Sequence, residues 1–290
     1  MRDCPSCFGE NGVQVADSSS SFRVRTIRNL ASCVYWCRLA GKPVLITLTW
    51  SKNLMGQRLG VGIDGSSSQC LCKVEIKPCL FSKRKGFRSA ESHNVKVDFY
   101  WDFSSARFGT GPEPIDGFYF GIVVNKQMIL LVGDLTKEAF KRTCATQCPS
   151  NAIFIGKREH VFGRKVYTTR APLGDSGKVH DLAIECGGSD LKIQVDGETS
   201  MEVKHLKWNF RGNQTIMVDG LPVQVFWDIH NWLFGASVAD AVFVFKACFS
   251  ADKMWAFDAG KLLLSDSQRF PDGESDCHGF SVVLYAWKNE

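Results

Sequence analysis

An aspartate follows a tryptophan at two places in the chain, Asp102 after Trp101 and Asp228 after Trp227. A carboxylate in a repeated position could act as a general acid or base, or bind a metal ion. However, no second acidic residue recurs at a fixed spacing beside either aspartate. Each aspartate stands where a strand should end, and a short side-chain acceptor there caps a turn. We therefore interpret Asp102 and Asp228 as caps, and Trp101 and Trp227 as residues of a core.

Basic residues form the second recurring pattern. One cluster precedes each Trp-Asp pair, and Trp208 and Phe210 stand among the residues of the second cluster. Basic side chains with aromatic neighbours suit phosphate-rich partners, either nucleic acid or anionic lipid headgroups. The alternative is a solvated loop that its charge keeps soluble. The candidate polyanion-binding residues are Lys83, Arg84, Lys85, Arg88, Lys207 and Arg211, and between the two clusters lie Lys157, Arg158, Arg164 and Lys165.

Motifs for catalysis or metal binding are weak. In Arg158-Glu159-His160 an acidic residue directly precedes a histidine, as in an acid–base pair. Neighbouring residues on a strand point to opposite faces, which argues against such a pair. We expect a loop or an edge strand there. The six histidines lack the spacings typical of zinc sites. Cys4 and Cys7 form a lone Cys-x-x-Cys pair without a second pair at zinc-ribbon distance. We predict no catalytic residue, no metal and no cofactor.

The Trp-Asp pairs belong to a longer internal repeat. Residues 97–103 and 223–229 share one pattern, residues 59–65 match residues 191–197, and a Phe-Gly pair follows each Trp at the same distance. The matching segments occur in the same order in both halves, and the halves differ in length only in the stretches between these segments. This arrangement indicates an internal duplication. The glycines of the Phe-Gly pairs, Gly109 and Gly235, are expected to end a brief helical turn with positive φ.

Alternating apolar residues predict that each repeat is built from strands. Val97, Phe99 and Trp101 fall on one face of such a strand. About fifteen strands with frequent turn signals predict an antiparallel β-sandwich or barrel of two duplicated modules, with at most one or two short helices. The best helix candidate covers residues 135–143, with Asp134 as a possible N-cap. The predicted divisions are a flexible segment at 1–21, a first module at 22–172 and a second at 173–290.

Composition is that of a globular protein. The 290 residues are 44% hydrophobic and 22% charged, and the net charge of +5 permits anionic partners without requiring them. The first residues lack an apolar signal-peptide core, and no run of eighteen apolar residues could span a membrane. We therefore expect a cytoplasmic protein with reduced thiols, with the nucleus and the periphery of membranes as further locations.

Several motifs resemble a plant-specific family catalogued as domain of unknown function 868. They are 46–54 (ITLTWSKNL), 100–102 (YWD), 158–163 (REHVFG), 167–171 (YTTRA), 210–215 (FRGNQT) and 283–288 (VLYAWK). The resemblance covers nearly the whole chain and implies no activity for any residue. Members typically carry Trp where this chain has Cys79 and an aromatic near Ser82, and Trp208 is the match of Cys79 in the second repeat.

These patterns favour a non-catalytic binding or scaffolding protein whose partners the sequence does not identify. One alternative is a binder of polyanionic surfaces, made of lipid or nucleic acid. Another is an enzyme that acts on carbohydrate or lipid. Residues 215–223 look like a hairpin of concanavalin-type lectins and glucanases, but the paired carboxylates that such glucanases present from one strand are missing.

Overall fold

A computed structural model describes residues 30–39, 41–53, 56–65, 70–77, 84–92, 95–147, 152–174, 177–234, 240–248 and 279–288. Within these residues the chain forms twenty strands and two short helices. The prediction of an all-β protein with at most two helices is confirmed, although the strands outnumber the roughly fifteen expected. Cys4, Cys7, Cys79, Ser82 and Lys83 lie outside the described residues.

The strands are numbered in chain order. Those before the long central strand are β1 (Leu30–Leu39), β2 (Lys42–Asn53), β3 (Gly56–Gly65), β4 (Cys70–Ile76), β5 (Lys85–Ser92), β6 (Val95–Asp102), β7 (Arg107–Phe108), β8 (Pro114–Asp116), β9 (Tyr119–Val124), β10 (Gln127–Gly133) and β11 (Thr146–Gln147). The central strand is β12 (Ile153–Gly163). After it come β13 (Val166–Pro172), β14 (Val179–Gly187), β15 (Asp190–Val195), β16 (Glu198–Val203), β17 (Arg211–Val218), β18 (Leu221–Asp228), β19 (Asp240–Cys248) and β20 (Gly279–Lys288). The helices are α1 (Thr136–Thr143) and α2 (His230–Phe234).

The largest sheet has nine strands in the order β17-β18-β19-β20-β12-β1-β2-β3-β4. A five-stranded sheet has the order β11-β10-β9-β6-β5, a four-stranded sheet runs from β13 to β16 in sequence, and β7 pairs with β8. Neighbouring strands are antiparallel except β12 with β20 and β10 with β11. Strand β12 is therefore an interior strand that joins early and late parts of the chain.

Two hydrophobic cores lie on one face of the nine-stranded sheet. Ala31 of β1 is opposite Glu159 of β12, so their side chains share a face. Ala31 belongs to the first core, whereas Val161, on the same face of β12 as Glu159, belongs to the second. The five-stranded sheet contributes Phe99 to the first core, and the four-stranded sheet contributes Ile193 to the second. The two smaller sheets thus cover the large sheet side by side.

Each core is enclosed by two sets of four strands with the same connectivity. In the first unit, β1–β4 form one set and β5, β6, β9 and β10 the other; in the second unit the sets are β13–β16 and β17–β20. This matched arrangement supports the predicted duplication, which stays a prediction. The module boundary predicted after residue 172 also stays untested. Strand β13 lies before that boundary, yet it pairs with β14 and places Tyr167 and Ala171 in the second core.

Local turns agree with the sequence in part. Asp219 and Gly220 have φ values of 48° and 82°, as a two-residue Asp-Gly hairpin turn between β17 and β18 requires. Two other expectations are wrong. Asp134 does not cap α1, because its Oδ1 accepts a hydrogen bond from the Phe118 N–H at 3.1 Å and the N-cap position is Leu135. Gly109 does not have a positive φ, because the chain there continues from the short strand β7 instead of ending a helical turn.

A glycine faces the tryptophan in both units. Gly86 pairs with Trp101, and Gly212 pairs with Trp227. A Cβ on Gly212 would lie 2.4 Å from Cζ2 of Trp227, and one on Gly86 would lie 2.3 Å from Cζ2 of Trp101. Each indole therefore lies against bare backbone, and a larger residue on the neighbouring strand would displace it.

We expect Gly212→Ala to lower the free energy of unfolding by about 1–3 kcal/mol, the usual cost of overpacking a core. Gly187→Ala on β14 is the matched control, because a Cβ there meets nothing within 4 Å. Denaturant midpoints of the two variants and the wild type give the comparison. Equal midpoints for Gly212→Ala and the wild type would contradict the tight packing.

Candidate functional site

A groove of about 1710 Å³ lies between the two units. Its walls include Tyr35 and Phe118 from the first unit, Phe154 of β12, and Arg170 and Leu182 from the second unit. Lys157, Glu159 and Glu113 also line it. The groove therefore combines apolar walls with a group of charged side chains contributed by β12 and by the segment between β7 and β8.

Lys157 is the centre of this charged group, and its side chain is only 3% exposed. The Nζ atom lies 2.5 Å from Oε2 of Glu113, 3.0 Å from Oε2 of Glu159 and 2.8 Å from the carbonyl oxygen of Arg170. Thr169 donates its hydroxyl to Oε2 of Glu159. Burial alone would lower the pKa of Lys157, but the two carboxylates outweigh burial and raise it well above its usual value. The ammonium group is thus permanently charged and fully hydrogen-bonded.

The two carboxylates differ in their surroundings. The Glu159 side chain is 8% exposed, whereas that of Glu113 is 25% exposed and reaches the groove. Burial raises the pKa of Glu159; Lys157 opposes this shift and Glu113 adds to it, so the pKa stays above its usual value. The thiol of Cys33 donates to Oε1 of Glu113 at 3.5 Å, and burial followed by the Glu113 charge raises the pKa of this thiol. Cys33 is therefore an uncharged donor and not a reactive thiolate.

The sequence did not single out this cluster. In the sequence, Lys157 is one of several basic residues between the two clusters. On β12 it alternates with Ile155, Glu159 and Val161, and all four side chains are buried. This alternation, which is visible in the sequence, indicates that the side chain of Lys157 faces inward. Nothing comparable marks Glu113, because it comes from an irregular segment that only the fold brings to β12.

Glu159 and His160 do not form an acid–base pair. The ring of His160 stacks on Tyr285 with 4.8 Å between centroids, and its Nδ1 accepts the Trp287 indole N–H at 2.9 Å. Burial, and then the charge of Arg158, lower the pKa of His160 to about 4, so its imidazole is neutral near neutral pH. The expectation of a loop or an edge strand here is wrong, since β12 lies between β20 and β1.

The two Trp-Asp pairs have matching hydrogen bonds. Oδ1 of Asp102 accepts the Ser104 N–H at 3.0 Å, and Oδ1 of Asp228 accepts the His230 N–H at 3.0 Å. The helix α2 follows Asp228, whereas only a turn follows Asp102. These contacts are the ones that a capping role requires. The role itself remains a prediction, because a cap and a functional residue can make the same hydrogen bonds.

The two tryptophans are buried to different degrees. Trp227 is 8% exposed and donates its indole N–H to the Asn209 carbonyl at 2.9 Å. Trp101 is partly buried and packs against the first core. Both therefore contribute apolar contact, with Trp227 the more enclosed of the two.

Two of the predicted polyanion-binding residues are held in ion pairs. Lys85 Nζ lies 2.8 Å from Oδ2 of Asp102, and Arg211 Nε lies 2.8 Å from Oδ2 of Asp228. Burial alone would raise the pKa of Asp102, but the hydrogen bond from Lys85 and the one from Ser104 lower it. These pairs reduce the positive charge that Lys85 and Arg211 can offer to a ligand.

Three of the other predicted cations are exposed. Arg84, Arg88 and Lys207 have exposed side chains. Lys85 begins β5, an edge strand of the five-stranded sheet, whereas Arg211 begins β17, an edge strand of the nine-stranded sheet. Because duplicated modules present equivalent loops at equivalent edges, we expect both clusters to share one surface of the protein, and this stays a prediction.

Residues 204–211, here called the Trp208 loop, present an exposed tryptophan. Trp208 is 86% exposed. The loop is nevertheless firmly anchored, because Leu206 is buried and donates its N–H to the Ser189 carbonyl at 2.8 Å. The Trp208 N–H is bonded to the His205 carbonyl at 2.9 Å, and Asn209 Nδ2 donates to the Lys204 carbonyl at 2.9 Å. A rigid loop therefore holds a large apolar ring in water.

The described ranges contain neither a metal-binding cluster nor a membrane-spanning helix. In the part of the chain that the structure describes, no group of three or more His, Cys, Asp or Glu side chains could hold a metal ion. No helix among those residues is long and apolar enough to cross a membrane.

Comparison with known proteins places the chain in one family. Neither a curated protein nor a solved structure matches it. The family model described as plant protein of unknown function, DUF868, matches residues 26–288. The motif resemblance seen in the sequence is thereby confirmed, and the chain belongs to the DUF868 family of plant proteins.

Proposed function

We propose that this protein is a non-catalytic binding protein that docks on an anionic lipid surface through the Trp208 loop. The observation that carries the proposal is the exposed indole of Trp208 on an anchored loop. Leaving a large apolar ring in water is unfavourable, and Trp is well suited to a membrane interface because its ring is apolar and its N–H polar.

The charges around Trp208 favour an anionic partner. Lys204, Lys207 and Arg211 are exposed on the same loop. Arg211 is paired with Asp228, but Lys204 and Lys207 form no ion pair with any described residue. A basic side chain near an anionic membrane contributes about 1 kcal/mol. The two free lysines and the indole together therefore support reversible, peripheral binding.

A further aromatic surface adjoins the loop. Phe234 of α2 is exposed and packs on Phe210 with 5.8 Å between ring centroids, while the Arg211 guanidinium lies 5.7 Å from the Phe210 ring centroid. Aromatic rings that alternate with basic side chains also suit single-stranded nucleic acid, because the rings can stack on its bases. We favour the lipid surface, because Trp208 projects singly from the loop, whereas a nucleic-acid groove needs a row of stacking rings.

The enzyme alternative has less support. The carboxylates of Glu113 and Glu159 both contact Lys157, so each is partly neutralised in the ground state. A binding role does not require either carboxylate to be free of Lys157.

The proposal predicts that the full chain co-sediments with phosphatidylserine vesicles at low salt. Binding should fall steeply as salt approaches the physiological range, because counterions screen the contacts. The double variant Lys207→Gln/Trp208→Ala should reduce partitioning at least about tenfold, since it removes about 1 kcal/mol of charge attraction together with the indole contact. The indole emission should shift to the blue on vesicle binding in the wild type, and Trp208→Phe should abolish the shift.

The matched control is Lys165→Gln/Val166→Ala, which also removes one exposed cation and one exposed apolar side chain, at the end of the turn after β12 and the start of β13. This variant should partition like the wild type. Equal loss in both variants, or no binding to vesicles at low salt, would refute the proposal. Binding to single-stranded RNA in a fluorescence assay without binding to vesicles would assign the loop to nucleic acid instead.

A further inference from the structure

We propose that the groove between the two units is a second binding site, which takes a small molecule with an ammonium group on an apolar body and holds that group at Glu159 and Glu113. This site is separate from the Trp208 loop and does not depend on lipid binding. Its four supporting features are a charge imbalance, an unpartnered carboxylate oxygen, an opening at a glycine, and apolar walls.

The charge imbalance arises because two carboxylates share a single ammonium group. The three protons of Lys157 Nζ are directed to Glu113, Glu159 and the Arg170 carbonyl oxygen. Thr169 and Cys33 add neutral donors. With both carboxylates ionised the cluster carries one excess negative charge in a water-poor environment. Either a proton or a ligand cation must balance that charge.

One oxygen of the cluster is left for such a ligand. Oε2 of Glu159 accepts from Lys157 and Thr169, whereas Oε1 has no hydrogen-bond partner among the described residues. The side chain is more than nine-tenths buried. Oε1 is not one of the enclosed polar atoms without a partner, so it is open to the groove and can accept a hydrogen bond from a donor on a ligand.

Gly111 lies beside this oxygen. A Cβ on Gly111 would be 3.8 Å from Oε1 of Glu159, so any side chain at position 111 would stand against it. Gly111 and its neighbour Gly109 both line the groove. The segment between β7 and β8 therefore brings Glu113 to Lys157 while leaving space next to Glu159.

The walls suit the apolar part of the ligand. Tyr35 and Phe154 line the groove with 5.7 Å between their ring centroids, and Phe118 and Val132 lie on the wall contributed by the first unit. Aromatic faces also attract cations. Anionic ligands are disfavoured by the two carboxylates. A divalent metal ion is disfavoured by the Lys157 ammonium group, which already occupies the position between them.

Ligand binding should be linked to a proton. Facing Glu159 are Lys157 on its own strand, Glu113 from the segment between β7 and β8, and Thr169 from β13. Burial and Glu113 raise the pKa of Glu159 while Lys157 lowers it, with a net rise. An ammonium ligand prefers the ionised carboxylate. Its affinity should therefore increase as the pH rises through the pKa of Glu159, with up to one proton released on binding.

The test is isothermal titration of the full chain with 2-phenylethylammonium. Two neutral or anionic analogues of the same size, 2-phenylethanol and 3-phenylpropionate, serve as probe controls. We expect the ammonium compound to bind at least tenfold more tightly than either analogue. Titration in two buffers of different ionisation enthalpy should show the proton release. Glu159→Gln should weaken ammonium binding at least tenfold, while Glu185→Gln, at an exposed position on β14, should leave it unchanged.

Three outcomes would overturn the inference. They are equal binding of the ammonium compound and the alcohol, no detectable binding of the ammonium compound, or unchanged affinity in a folded Glu159→Gln variant. If Glu159→Gln does not fold, Glu113→Gln and the comparison of the three probes still decide the matter. Lys207→Gln/Trp208→Ala should keep its ammonium affinity, so this site and the lipid-binding proposal can fail separately.

Discussion

Replacing Lys157 by Met should lower the free energy of unfolding by about 3–5 kcal/mol, the usual loss when one member of a buried ion pair is removed. The ammonium group contacts both Glu113 and Glu159 and is 3% exposed. Without it, the two carboxylates lie beside each other with no cation between them, and Glu159 is almost completely buried. Met has a similar length and no charge, so the loss reports the missing charge and not an empty space.

The loss should depend on pH with a definite sign. In the wild type burial raises the pKa of Glu159 and Lys157 lowers it, so removal of Lys157 raises this pKa further above the unfolded value of about 4.3. A raised carboxyl pKa contributes stability below the unfolded value and loses it as the pH rises through the folded value. The wild type keeps Lys157 charged throughout, because the pKa of Lys157 is raised. The difference between the two proteins should therefore be larger at about pH 8 than at about pH 5.

Denaturant titrations followed by tryptophan fluorescence measure this difference. Lys165→Met, at an exposed position, is the matched control and should change the midpoint little. The triple variant Glu113→Gln/Lys157→Met/Glu159→Gln should recover much of the loss, because a buried ion cluster replaced as a whole is often nearly neutral in stability. A Lys157→Met variant as stable as the wild type at about pH 8 would contradict the buried ion cluster.

The sequence predicts the strands well because burial on one face of a sheet leaves a direct pattern. Val97 and Phe99 alternate with polar residues and are buried, whereas Lys96, which precedes Val97, is exposed. Turns with strict backbone demands are equally visible, as at Asp219-Gly220. What the sequence does not show is which strands pair across long distances. His160 and Tyr285 are partners in the parallel pair of β12 and β20, and no local pattern links them.

The candidate sites were predictable to different degrees. Lys207 and Arg211 were predicted because they are basic residues next to aromatic ones. The structure adds that Arg211 forms an ion pair with Asp228 and that Trp208 is exposed to solvent. Neither the pairing nor the exposure follows from composition, because each depends on the path of the Trp208 loop. The groove was not predictable, since Glu113 reaches Lys157 across 44 positions of chain and belongs to no motif.

Trp227→Ala should lower the free energy of unfolding by about 3–5 kcal/mol, as expected for a buried aromatic residue. The Trp227 ring belongs to the second core, lies against Gly212 and donates to the Asn209 carbonyl. Asp228→Ala should cost only about 0.5–2 kcal/mol if Asp228 acts only as a cap at the start of α2. The exposed ion pair with Arg211 adds at most about 1 kcal/mol.

Trp208→Ala is the matched control for the tryptophan. It deletes the same side chain from a position that is 86% exposed, so it should leave the unfolding free energy nearly unchanged. Chemical denaturation of the three variants and the wild type gives the free energy of unfolding of each. Near-equal losses for Trp227→Ala and Asp228→Ala would mean that Asp228 does more than cap a turn. An Asp228→Ala variant with wild-type stability and lost vesicle binding would place Asp228 in the binding surface.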